Sequence, residues 1–235
     1  MKKNTIFAVF ALLALLTVSA QQQSVYRTET EKHIVWQPGV KLKFDMFQNT
    51  QPSASDTAMM HRDNRQSLPY LGFWDVLDVP KKKSWKDLHE QAYFCAAFSK
   101  FQSFVVVRDS FDLAVAQMQW DIMELGTRMS RMFLDSQQTN AEESLGCPVT
   151  GVVYTFYSTA AAKGRDFYGS LSKALLDNVL VPRDQEKLVE YRRFVDEMLA
   201  STAKFATRPE EAWRLLSKKP TQPGLKRAKK VVGPL

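Results

Sequence analysis

The sequence predicts an α+β fold in which a small N-terminal antiparallel sheet packs on a long central helix, followed by a helical C-terminal half. Three patterns predict it. Apolar residues alternate near the N-terminus, an apolar stripe at spacings of three and four runs over residues 111–132, and helical spacing returns over residues 165–205. An apolar content of 45% is enough for a core, and the length suits a single α+β domain over residues 21–216.

The first twenty residues have the features of a secretory signal peptide. Lys2 and Lys3 give a positive start, residues 6–16 are an uninterrupted apolar run, and small residues at 18–20 suit a cleavage site before Gln21. The run is too short to span a bilayer comfortably, although an uncleaved anchor is the alternative. We therefore expect residues 1–20 to be removed and the protein to be exported.

The sheet is expected to begin close to the mature N-terminus. Val40, Leu42 and Phe44 alternate with lysines, which predicts a half-buried strand within residues 33–47. A polar loop is expected over residues 48–69 because prolines and small polar residues interrupt it.

The rest of the sheet is expected before residue 108. Residues 71–79 are apolar and are expected to pack on the core. Residues 92–107 are apolar and aromatic, which predicts two strands or one bent strand. A helical start over residues 85–98 is the alternative, because some apolar residues there have helical spacing.

The long helix is the clearest predicted element. Asp109 or Ser110 can cap its start. Glu124 and Arg128 are four residues apart and can pair on its surface, and Gly126 is a weak point that costs up to about 1 kcal/mol relative to alanine. The apolar stripe consists of Phe111, Val115, Met118, Ile122, Leu125, Met129 and Met132.

The C-terminal half is predicted to be mostly helical. A loop is expected over residues 135–150, and residues 152–157 are either extended or the start of a helix. Helices are predicted over residues 165–180 and about 183–205, and a short helix opens at Pro209.

Residues 217–235 are predicted to form a flexible basic tail, because the segment has three prolines and no acidic residue. These side chains either contact anionic lipid or lipopolysaccharide, or they form a solvated end. Nucleic acid is not expected as a partner of an exported protein. The basic residues of the tail are Lys218, Lys219, Lys226, Arg227, Lys229 and Lys230.

Cys95 and Cys147 are the two cysteines of the chain. An oxidising compartment permits a disulfide between them, and an even count is compatible with one. The alternative is a pair of small buried thiols, since Cys95 lies in an apolar run.

Residues 112–128, DLAVAQMQWDIMELGTR, have the pattern of a metal-binding helix without its ligands. The helix resembles LLxHEQxHFDIxELxxR, the motif of the domain-of-unknown-function 922 family, which comprises exported zincin-like domains of Gram-negative envelopes. Val115 and Gln119 stand at the two histidine positions, and Ala116 stands at the catalytic glutamate position. The motif positions that match are Gln117, Trp120, Asp121, Ile122, Glu124, Leu125 and Arg128.

The resemblance covers about residues 33–135 and implies a zincin-like domain that has lost its chemistry. In this motif, two histidines on one helix face hold zinc, and a glutamate takes a proton from the metal-bound water. Valine, glutamine and alanine cannot supply these functions, so no metal and no cofactor are expected. The former cleft, near Gln119, Trp120 and Arg128, becomes the expected binding surface for a protein or envelope component of the periplasm or outer membrane periphery.

A count of histidines agrees with this interpretation independently of the family. The chain has only His33, His61 and His89, and no two of them are four residues apart. The nearest partial motif begins at His89 and has Tyr93 at the second ligand position. Two alternatives to an inactive binding protein stay open: a hydrolase that uses Asp121, Glu124 or His89, and a structural subunit of an envelope complex unrelated to peptidases.

Overall fold

A computed structural model describes residues 26–84 and 86–229 of the chain. The predicted signal peptide and residues 230–235 of the predicted tail lie outside these residues. The strands are β1 (His33–Val35), β2 (Ser67–Leu68), β3 (Leu71–Pro80), β4 (Gln91–Ser99), β5 (Phe104–Val105) and β6 (Leu225–Arg227). The helices are α1 (Ala54–Arg62), α2 (Ser110–Leu145), α3 (Val152–Leu175), α4 (Gln185–Ser201) and α5 (Pro209–Ser217). Among the described residues, no helix combines the length and apolar character that crossing a membrane requires.

The main sheet has the strand order β1-β4-β3-β6, and all its neighbouring strands are antiparallel. Strands β2 and β5 form a separate antiparallel pair. The predicted α+β class, with a small sheet and a helical C-terminal half, is confirmed. The two strands expected within residues 92–107 are present as β4 and β5, so the helical alternative over residues 85–98 is wrong.

The sheet lies between two layers of helices. The side chains of β4 alternate between the two faces of the sheet and contact both layers. Phe94 and Phe98 face α2 and α3 and belong to the main core. Cys95 faces the opposite side, where it packs with Val35 of β1 and Ala212 of α5. Every residue from Tyr93 to Ser99 is buried, as expected for a strand covered on both faces.

Helix α2 runs through the centre of the molecule. The Asp109 side chain accepts a hydrogen bond from the Phe111 N–H at 2.8 Å, which confirms the predicted N-cap. The helix ends at Gly146, whose φ of 65° provides a left-handed C-cap. The loop predicted over residues 135–150 is therefore wrong in its first eleven residues, which continue the helix to Leu145.

Two N-terminal predictions are corrected. The alternation at Val40, Leu42 and Phe44 does not produce a strand, because the Leu42 N–H donates to the Gln117 side chain of α2 at 2.8 Å and the chain then forms a 3₁₀ turn at Phe44–Met46. The polar segment 48–69 is not a simple loop, because it contains α1, which begins at a capping box formed by Ser53 and Asp56.

The C-terminal elements also differ from the prediction. Residues 152–175 form one continuous helix, α3, followed by a π-helical turn at Leu176–Leu180. The predicted flexible tail is wrong for residues 225–227, which pair with β3 as strand β6. Leu225 is buried, and this apolar anchor holds β6 in the sheet despite its basic neighbours.

Helices α2 and α3 approach each other closely at a pair of glycines. A Cβ atom added to Gly126 would lie 2.6 Å from the backbone oxygen of Gly164, which is closer than real Cβ contacts. Gly126 was predicted to be a weak point of the helix. It is instead required for the packing of the two helices, because only a residue without a side chain allows this distance.

Candidate functional site

The helix that resembles a metal-binding motif is buried around its whole circumference. The residues predicted to form or flank the former site are at most 5% exposed: Val115, Ala116, Gln119, Trp120, Asp121, Glu124 and Arg128. The sheet covers one side of α2, and helices α3 and α4 cover another. The prediction of a binding cleft at Gln119, Trp120 and Arg128 is therefore wrong, because no partner can reach these side chains.

Core and hydrogen-bonding side chains fill the two positions at which the resembling motif has histidines. Val115 packs against Leu175 and Val179. The Gln119 side-chain oxygen accepts a hydrogen bond from Arg65 at 3.1 Å, and its nitrogen donates to the Ser172 hydroxyl at 3.2 Å. Gln119 thus joins the loop after α1 to helix α3 across α2.

Asp121 is a buried structural carboxylate. One of its oxygens accepts from the Trp36 indole at 2.8 Å and from Gln117 at 2.9 Å. The other accepts from Arg192 of α4 at 2.6 Å. The carboxylate therefore connects the N-terminal segment, α2 and α4.

Glu124 and Arg128 form the predicted pair, with Nε and Oε1 3.0 Å apart, but the pair lies in the interior and not on the helix surface. Glu124 also accepts from the Thr207 N–H at 2.9 Å and its hydroxyl at 2.7 Å. Arg128 donates to the Leu199 carbonyl at 2.6 Å. These bonds hold the segment between α4 and α5 against α2. A carboxylate with this set of donors is committed to the ion pair and is not placed to act as a general base.

The alternative motif position at His89 does not have the required geometry. His89 is exposed and lies in the connection before β4, whereas Tyr93 is inside the strand. Two ligands four residues apart face one metal only when a helix carries both. In residues 26–84 and 86–229, no three histidine, cysteine or carboxylate side chains are grouped to hold a metal ion.

Both cysteines are free, so the structure does not contain the disulfide that the sequence permits. Cys95 is fully buried in the central strand β4, and burial raises the pKa of its thiol well above the ordinary value. Cys147 is exposed just after the end of α2. The alternative expectation was a pair of small buried thiols. Cys95 agrees with it, whereas Cys147 does not because it is exposed.

A large surface depression lies elsewhere, beside the outer edge of β3. We call it the edge groove, and its volume is about 1080 Å³. Its walls come from Arg27, residues 29–33, 73–76 and 213–218, Arg165 and Arg227. The Trp74 ring lies edge-on to His33, with ring centroids 4.8 Å apart. Trp213 of α5 lines the same groove and is half-buried.

The edge groove carries an excess of positive charge. Six basic and three acidic side chains line it, which gives a net charge of +3 with His33 neutral. Burial lowers the pKa of His33 the most, and the positive charges of Lys32 and Lys218 lower it further. The neutral form of His33 is therefore favoured. Arg165 pairs with Asp75, and Arg214 pairs with Asp78. The groove cations that are exposed and form no ion pair with a described residue are Arg27, Lys32, Lys218 and Arg227.

Sequence reasoning did not find this groove because its walls come from separate parts of the chain. One signal was present: Lys218 and Arg227 belong to the segment that was predicted to be a basic tail. Lys218 reaches the groove as the C-cap residue of α5, and Arg227 reaches it through the pairing of β6 with β3, which places Arg227 beside Asp78.

Comparisons with known proteins do not extend these observations. No family model, no curated protein and no solved structure matches the chain.

Proposed function

We propose that the mature chain is an exported envelope protein that acts by binding an anionic partner in the edge groove and does not hydrolyse it. The proposal depends on one observation: exposed cations and two tryptophans line the same large depression. The cations, none of which forms an ion pair with a described residue, are Arg27, Lys32, Lys218 and Arg227. The N-terminal pattern of residues 1–20 supports export.

The roles of the former motif residues support binding over catalysis. In a zincin-like enzyme, the motif helix must present its ligands to an accessible cleft. Here Asp121 and Glu124 each accept three or more hydrogen bonds from side chains or backbone that hold neighbouring elements. A degenerate zincin-like ancestry, as the resemblance implies, is consistent with a helix whose polar positions now serve packing.

The charge pattern of the groove selects the class of partner. Exposed cations in a concave surface attract anions over several ångströms and raise the rate of encounter. The faces of Trp74 and Trp213 add apolar contact area, which tryptophan supplies at many binding surfaces. A polyanion with apolar portions therefore suits the groove better than a small apolar molecule.

Adjacent residues of β6 allow a matched test. Arg227 lines the groove, whereas Lys226, its neighbour, projects from the other face of the same short strand. We expect fluorescein-labelled poly-L-glutamate to bind the mature chain in low salt, measured by fluorescence anisotropy. Arg227→Glu is expected to weaken binding at least about tenfold, and Lys226→Glu about twofold or less, because only the first charge faces the groove.

Equal effects of the two substitutions would contradict the proposal, since a general attraction between a basic protein and a polyanion does not depend on the face. Absence of binding to the unmodified chain in low salt would contradict it too. Circular dichroism of both variants shows whether β6 and the rest of the fold are retained.

A further inference from the structure

We propose that the occupant of the edge groove is an extended acidic peptide that pairs as an added strand with the outer edge of β3. This inference rests on the proposed function and names the partner class and the mode of binding. Strand β3 pairs with β4 along its inner edge from Leu71 to Asp78. On the outer edge, the described residues of β6 pair only with Asp78–Pro80, so the first part of β3 has no strand beside it in the described chain.

The direction of the backbone groups on β3 follows from one hydrogen bond. The Leu77 carbonyl accepts from the Ala228 N–H at 2.9 Å, which shows that Leu77 faces outward. Because successive residues of a strand turn their N–H and C=O groups to opposite edges, Phe73 and Asp75 also face outward, and the residues between them pair with β4. The outer edge therefore presents donors and acceptors at Phe73 and Asp75 in the spacing of a β-ladder.

A strand edge of this kind selects a polypeptide. It offers N–H and C=O groups in a fixed alternation, and an extended peptide matches that alternation along its whole length. Polysaccharides, nucleic acids and lipid headgroups lack this repeat. Residues 73–76 all line the groove, so the depression follows the strand and contacts both of its faces. A ladder along residues 71–76 would take a peptide of about six residues, or roughly 20 Å.

The side chains around the edge select acidic residues in that peptide. Lys218 and Lys32 lie near His33 at one part of the groove, and Arg227 lies at the end of β6. A carboxylate on the peptide can reach one of these cations, while Trp74 and Trp213 contact an apolar residue at the next position on the same face. A peptide in which acidic and β-branched residues lie two positions apart, on the same face of the extended chain, satisfies both requirements.

The test uses the full mature chain and a fluorescein-labelled hexapeptide of sequence Glu-Glu-Val-Val-Glu-Glu, in which each face of the extended peptide carries both residue types. Two further versions of the peptide carry N-methyl groups on its three odd or its three even amides. Methylation removes a donor and blocks pairing on one edge of the peptide only. We expect one version to bind at least about tenfold more weakly than the unmodified peptide and the other to bind within about twofold of it.

Hydrogen exchange measured by NMR gives a second readout on the protein. The outward amides of Phe73 and Asp75 are expected to exchange more slowly when the peptide is added. The amides of Trp74 and Val76 are expected to show little change, because β4 already pairs with them.

Four other results would overturn the inference, and each has a different meaning. Equal binding of both methylated peptides would exclude strand pairing and leave the proposed anionic site intact. Failure of both the hexapeptide and poly-L-glutamate would remove the proposed function as well. Binding only to a chain shortened after Lys229 would assign the edge to the protein's own C-terminal segment. Preference for phosphatidylglycerol vesicles over the peptide would assign the groove to lipid headgroups.

Discussion

The buried pair of Asp78 and Arg214 shows how position decides what a charge contributes to stability. Two nitrogens of Arg214 donate to the two carboxylate oxygens of Asp78 at 2.5 and 2.6 Å, and both side chains are almost fully buried. Lys173 and Asp177 also pair, but on the surface of the molecule, where both are more than half exposed. Water screens the second pair and cannot reach the first.

We expect Arg214→Leu to lower the free energy of unfolding by about 3–5 kcal/mol, because Asp78 would remain buried without a partner. Lys173→Ala is expected to change it by less than about 1 kcal/mol. Urea unfolding followed by circular dichroism measures both values. Losses of similar size would show that the Asp78 carboxylate finds water or another donor when Arg214 is absent.

At the scale of the elements, the contact between α2 and α3 depends on paired glycines. Gly126 and Gly164 face each other where the helices cross. A Cβ atom added to either glycine would lie too close to the backbone oxygen of the other. Gly169 lies on α3 as well, but a Cβ atom there would have no neighbour within 4 Å. Of the two α3 glycines, Gly164 and Gly169, only Gly164 is required by the packing of the helices.

Gly164→Ala is expected to destabilise the fold by about 1–3 kcal/mol, since the new methyl group would push the helices apart. Gly169→Ala is expected to stabilise it by up to about 1 kcal/mol, because alanine favours the helix and meets nothing. Thermal unfolding of both variants separates the two effects. A stabilising Gly164→Ala would show that the crossing can widen at little cost.

The elements also show which predictions a sequence supports. The start of α2 was predictable because Asp109 is a strong N-cap residue and the apolar stripe follows it directly. The strands at residues 92–107 were predictable from their buried aromatic residues. The strand expected at Val40–Phe44 failed because a side chain of α2, Gln117, takes the backbone donor that a neighbouring strand would have used. Local alternation contains no information about such a distant partner.

For the whole molecule, the expected site was harder to predict than the fold. The pattern over residues 112–128 predicted the position of a helix correctly, but the predicted exposure of that helix was wrong. A helix buried on all sides and a helix that carries metal ligands share the same apolar spacing, so the pattern does not distinguish them. The edge groove depends on residues far apart in the sequence, from Arg27 to Arg227. The pairing of the strands and the packing of α5 and α3 beside the sheet bring them together.

The burial of the two positions at which the resembling motif has histidines leads to an expectation for the intact protein. Val115 and Gln119 offer zinc no imidazole and no access from solvent. We expect the purified mature chain, exposed to zinc and then dialysed, to retain far less than one equivalent by inductively coupled plasma mass spectrometry. One tightly bound zinc per chain would contradict the assignment of this helix, and His89→Ala would then show whether that residue is a ligand.

The pairing of β6 with β3 also has a consequence for how the chain is made. The outer strands of the sheet, β1 and β6, come from distant parts of the polypeptide, and the Asp78–Arg214 pair joins residues 136 positions apart. Contacts between such distant segments form late, because closing the long intervening loop costs entropy before any contact compensates for it. The sheet cannot be completed until Arg227 has left the ribosome. A newly synthesised chain therefore stays incompletely folded at least until the segment that forms β6 has been made, and an incompletely folded polypeptide is the form that can be threaded through a membrane translocation channel.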